Sequence, residues 1–137
     1  MIVEEILIVE EDGTLSFGNH EAEKKQKIEN FPYEGNTYKI STYKEATRLE
    51  KNEELVLETI PGATFHNFSK EEDLSRISFS IEGFPTSTIV TVQLEENEVY
   101  RIMAGKDNLG SMKSNISGKV KFSVDLTKPT HVVIEKI

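Results

Sequence analysis

Few side chains in this chain are of the kinds that do chemistry, and their spacing restricts them further. A Ser or Thr nucleophile needs a base in reach, and the bases on offer are His20, His66 and His131. His20 falls in a polar loop. His66 and His131 fall within or beside predicted strands, where alternate side chains face solvent. No Gly-x-Ser-x-Gly elbow accompanies them, so each reads as a structural or surface histidine. Three histidines without an i, i+4 pair do not make a metal site. The absence of cysteine removes thiolate nucleophiles, thiolate metal ligands and disulfides. Paired carboxylates hydrolyse glycosides, but Glu71-Glu72-Asp73 and Glu95-Glu96 flank strands and read as solvated loop tips. Gly105 to Gly110 lacks both the Gly-Lys-Ser/Thr end of a phosphate loop and the regular acids of a calcium loop, and reads as a hairpin turn. No catalytic residue, cofactor site or metal ligand is assigned on these grounds.

Aromatic side chains supply a different chemistry, stacking against sugars or peptides. Phe31, Tyr33, Tyr38 and Tyr43 lie close together in sequence, with Phe65 and Phe68 further on. These six form the candidate contact surface. The competing reading is that they fill the core of a modest domain.

The elements that must position these residues are strands. Ile2 to Glu10 is rich in Ile and Val, and Asp12-Gly13 is hairpin chemistry that returns Leu15-Ser16-Phe17 onto it. Residues 20 to 30 offer almost no apolar face and read as an exposed edge strand guarded by lysines, with a short helix as the alternative. Phe31 to Asn36 reads as turn, and Thr37 to Tyr43 as a strand with Tyr38, Ile40 and Thr42 on one face. Lys44 to Lys51 permits a helical turn. Leu55 to Ile60 resumes strand, and Pro61-Gly62 is the sharpest punctuation in the chain. Beyond it, strands are expected over 63–68, 76–82, 87–94, 99–103, 118–124 and 131–135, with a short one around 109–114. The fold predicted is all-β: an acidic antiparallel meander over 1–60, packed against an immunoglobulin-like sandwich over 61–137. Glu98 to Ile137 reads as scaffold, which leaves the acidic half or the Pro61-Gly62 seam as the expected place for function.

Charge narrows the partners. Residues 1–60 hold 14 acidic and 7 basic side chains, against 10 and 9 in residues 61–137, which together make the net charge of -8. Duplexes and anionic membranes are held through clustered Lys and Arg, so neither nucleic acid nor membrane is an expected partner. Acids interrupt the apolar N-terminus and it lacks a basic n-region, so it does not read as a signal peptide. A cytoplasmic location is expected.

Three phrases carry a family resemblance: Glu11 to Asn19; Lys44 to Glu50 leading to Glu58 to Ala63; and Gly110 to Asn115 with Gly118-Lys119. Together they resemble, over nearly the whole length, small clostridial hypothetical proteins commonly labelled endosialidase. That label implies a sialidase, a class built on a six-bladed propeller with an arginine triad and a Tyr/Glu pair. The chain departs from the pattern: its arginines are Arg48, Arg76 and Arg101, spread over both halves, and its strands are too few for such a propeller. No catalytic residue carries over. The leading expectation is a non-enzymatic interaction or assembly module that meets a protein partner or a second copy of itself. The alternative is a carbohydrate-binding or glycosidase-related, endosialidase-like accessory domain, with a glycan as its ligand.

Overall fold

The structure, a computed structural model, describes residues 5–71 and 73–137. Among the described residues thirteen strands follow one another: β1 Leu7–Val9, β2 Leu15–Phe17, β3 Gln26–Tyr33, β4 Asn36–Tyr43, β5 Ala46–Lys51, β6 Glu54–Ile60, β7 Thr64–Lys70, β8 Arg76–Glu82, β9 Ser87–Gln93, β10 Val99–Ala104, β11 Asp107–Lys113, β12 Lys119–Asp125 and β13 Thr130–Lys136. No helix occurs among the described residues. All pairings are antiparallel, in a seven-stranded sheet of order β1-β2-β7-β8-β13-β10-β11 and a six-stranded sheet of order β12-β9-β6-β5-β4-β3.

Alternation makes these segments strands. In β8, Ile77, Phe79 and Ile81 are buried while Ser78 and Ser80 are half-buried. In β12, Val120, Phe122 and Val124 turn inward and Lys119, Lys121, Ser123 and Asp125 turn out. A period of two puts one face of each sheet in the interior. The two inner faces share one core, in which Phe17 stacks on Phe65 at 4.8 Å and Phe65 meets Phe79 edge-on at 5.2 Å.

The strand order places Pro61-Gly62, expected to border two modules, where the chain passes from β6 in one sheet to β7 in the other. Each sheet takes strands from both sides of that dipeptide: β2 pairs β7, and β6 pairs β9.

Several local readings are corrected. Residues 46–51, which permit a helical turn, are strand, because Thr47 and Leu49 are buried on one face and a two-residue turn at Lys44-Glu45 joins Tyr43 to Ala46. Phe31, Pro32 and Tyr33 are strand, and the turn is Glu34-Gly35, both with positive φ, as a tight hairpin requires. Residues 20–30 are strand only from Gln26 onward, where β3 forms a sheet edge. The first strand is described from Leu7, and the Ile2 to Glu4 part of its expected span lies outside the described residues, as does Glu72 of the acidic turn.

Candidate functional site

The six aromatic residues separate into three places. Phe65 and Phe68 are core residues on β7. Tyr38 is buried on β4, with Tyr33 edge-on to it at 5.5 Å and Phe31 opposite it across the β3–β4 ladder. Tyr33 also donates its hydroxyl to the Gly13 carbonyl, and burial pushes its phenol up. Tyr43, at the far end of β4, is half-buried under the Lys25 ammonium, 5.6 Å from its ring centre. Packing accounts for Phe65, Phe68 and Tyr38. The other three remain partly accessible, and the hairpin gathers only Phe31 and Tyr33 of these.

A buried polar cluster forms the seam where residues 18–22, 42–47 and 61–64 meet. Asn19 N–H donates to Thr42 Oγ1 at 2.9 Å, and Thr42 and Thr47 hydroxyls are 2.8 Å apart. Thr47 donates to the Ala63 carbonyl at 2.8 Å and accepts from Ala63 N–H at 3.1 Å. These bonds satisfy backbone groups that no ladder reaches. Glycine makes the approach possible: a Cβ at Gly62 would stand 2.0 Å from the Tyr43 carbonyl oxygen, and one at Gly18, where φ is +100°, 2.5 Å from that of Ala63.

His20 belongs to this seam rather than to an open loop. Its ring is buried, Nδ1 is 2.7 Å from Thr64 Oγ1, and Phe84 meets it edge-on at 5.1 Å. Burial lowers its pKa, against a smaller opposing pull from Glu21, which favours the neutral ring. A hydroxyl on an imidazole has the geometry of a nucleophile and base. Thr64, however, is 0% exposed, and its oxygen also receives His20 N–H at 3.3 Å. The pair works as a lock between a loop and β7. His66 Nε2 lies 3.0 Å from Glu82 Oε2, and exposed His131 is 3.3 Å from Ser80 Oγ. Among the described residues, no three His, Asp or Glu side chains group as metal ligands do.

A different kind of site lies in backbone. Among the described residues the two sheets have four edge strands: β1, β11, β3 and β12. Edges that could pair with other chains are normally blunted by shortness, bulges or proline. β1 has three residues; β3 carries Pro32 and a bulge with Asn30 at φ +57°; β11 carries Gly110 at φ +91° and a register shift against β10. β12 has none of these backbone devices and is guarded only by the exposed Lys119 and Lys121; it pairs β9 without interruption from Lys119↔Gln93 to Asp125↔Ser87.

The parity of its hydrogen bonds follows from its two ends. Leu94 N–H donates to the Gly118 carbonyl and Leu126 N–H to that of Thr86, so the even residues of β12 face β9. The odd residues therefore point their N–H and C=O outward. Asn115 takes up those of Lys119, its Oδ1 accepting at 2.9 Å and its N–H donating at 3.1 Å. Lys121, Ser123 and Asp125 remain, the carbonyl of Asp125 also being reached by the Thr130 hydroxyl at 3.5 Å. Ser123 and Asp125 line a groove of about 710 Å³ together with Lys106 and Leu109. This stretch reads from sequence as scaffold; outward backbone polarity leaves no signature in residue type beyond the regular alternation of β12 itself.

Comparison with protein-family models, with curated proteins and with solved structures finds no match to this chain. No helix among the described residues is long and apolar enough to cross a membrane.

Proposed function

We propose that the protein is a non-enzymatic, cytoplasmic interaction or assembly module that contacts a protein partner or a second copy through the open edge of β12. The observation that carries this reading is the contrast among the edges: three are interrupted or shortened in their backbone, and β12, guarded by lysine side chains alone, offers a regular ladder with outward N–H and C=O groups. An exposed apolar pair on the outer face of the same sheet supports it, Ile60 opposite Ile89, beside β12 in the strand order. The immunoglobulin-like character of residues 61–137 belongs to the same proposal. Consecutive antiparallel strands there pass between two sheets, as in such domains, and the seating of β13 between β8 and β10 is the feature the assignment must accommodate. Native mass spectrometry with pull-down from the source cell tests the reading: an oligomer or a recovered partner is expected, and a strict monomer that recovers nothing contradicts it.

A second reading, glycan binding in an endosialidase-like accessory role, draws on a groove of about 670 Å³ beside Tyr38, lined by Glu29, Asn30, Lys39, Glu50 and Asn52. Carboxylates, amides and an ammonium are groups that hydrogen-bond sugar hydroxyls. A glycan array together with a sialoside hydrolysis assay tests it, and silence in both removes it.

A further inference from the structure

We infer that β12 is a homodimerisation strand: two copies pair antiparallel about Ser123, so that Lys121 of each faces Asp125 of the other. This rests on the interaction-module reading and names its partner. An antiparallel ladder is built from residue pairs that exchange both N–H and C=O, and on this edge Lys121, Ser123 and Asp125 have such groups pointing outward and not taken by Asn115; the Asp125 carbonyl, which accepts from the Thr130 hydroxyl at a long 3.5 Å, keeps its second lone pair. A two-fold axis at Ser123 uses all three, pairing Ser123 with itself and Lys121 with Asp125 twice. Centring on Phe122 instead sets Asp125 against Lys119, whose backbone is already engaged. Centring on Lys121 brings two ammonium groups face to face.

Side chains agree with the chosen register. Lys121, Ser123 and Asp125 are exposed on the outer face, where directly opposite unlike charges stabilise a pair and like charges oppose it. Asp125 Oδ1 accepts the Thr127 N–H at 2.9 Å, which leaves its second oxygen for the incoming ammonium. The axis stands perpendicular to the sheet, so both copies keep Val120, Phe122 and Val124 on the core side. A one-residue slip would turn them outward. Lysines on an edge discourage indiscriminate pairing; here they select a strand that carries an acid four residues from a lysine, as β12 does.

The test is sedimentation velocity on the full chain from about 1 µM to about 1 mM, with native mass spectrometry of variants. A monomer–dimer equilibrium is expected. Ser123→Pro removes a central donor that the folded chain does not use, and should weaken dimerisation at least about tenfold while the thermal melt stays in place. Lys121→Asp and Asp125→Lys should each be monomeric alone, and mixing them should give a heterodimer, because both cross-pairs are then of opposite sign. Wild-type chain that stays monomeric overturns the inference. If a partner is nonetheless recovered in the pull-down, the module reading survives, and if none is, both fall. A dimer indifferent to Ser123→Pro and to charge mixing places the interface elsewhere and overturns this inference alone.

Discussion

The seam around Pro61-Gly62 and the flank formed by β12 treat backbone polarity in opposite ways. At the seam, hydroxyls of Thr42, Thr47 and Thr64 are spent inside the fold, on Asn19, Ala63 and His20. At β12 the side chains do nothing unusual, and backbone groups of Lys121, Ser123 and Asp125 are left facing out. The seam has the residue types of a reactive site and no access; the edge has access and unremarkable residues. The proposed contact rests on the unpaired backbone rather than on the cluster of chemical side chains.

Substitutions separate the two regions by their effects. The largest is expected inside the flank, where Val124 is 2% exposed: Val124→Asp buries an unpaired carboxylate and should unfold the chain, seen as loss of the cooperative melt by circular dichroism. A melt near that of wild type would show that β12 does not close the core. Next comes the seam's close approach. Gly62→Ala sets a methyl against the Tyr43 carbonyl and should cost about 2–3 kcal/mol in urea unfolding.

Two neighbouring threonines sharpen the contrast further, since Thr47 and Thr59 pair across β5 and β6. Thr47 is satisfied, whereas Thr59 Oγ1 is buried without a hydrogen-bond partner among the described residues. Thr47→Val should therefore destabilise by about 1–3 kcal/mol, and Thr59→Val should stabilise by about 1 kcal/mol. Equal effects at the two positions would deny the seam its relay.

The smallest effect is a pH dependence. Burial depresses the His20 pKa, so below about pH 6.5 the unfolded chain takes up a proton that the folded chain refuses. The stability owed to a neutral His20 is full above that pH and is lost as pH falls through it. Subtracting the melting profile of His20→Asn from that of wild type should isolate this loss, and parallel profiles would contradict the lock.

How much of this is legible in the sequence depends on the region. The alternation of Arg76 to Glu82 and Lys119 to Asp125 announces both strands and their inner faces, and Asp12-Gly13 announces the turn between β1 and β2. Residues 46–51 are not legible as strand, because Ala46, Leu49 and the surrounding charges suit a helix equally until Thr47 finds Ala63. The aromatic residues chosen as a contact surface divide on sidedness, which β7 decides for Phe65 and Phe68 by pairing with β2 and β8. His20 is legible only as a loop residue, since its partner Thr64 is distant in sequence. The open edge was hidden for a related reason: whether a strand has one neighbour or two is a property of topology.

Residue-resolved amide exchange of β12 at low and high protein concentration reads the proposed dimer edge at its own amides. Phe122 and Val124, bonded to β9, should be protected throughout, while Lys121, Ser123 and Asp125 should exchange fast when dilute and become protected as concentration rises. Fast exchange at those three amides at every concentration would contradict that dimer.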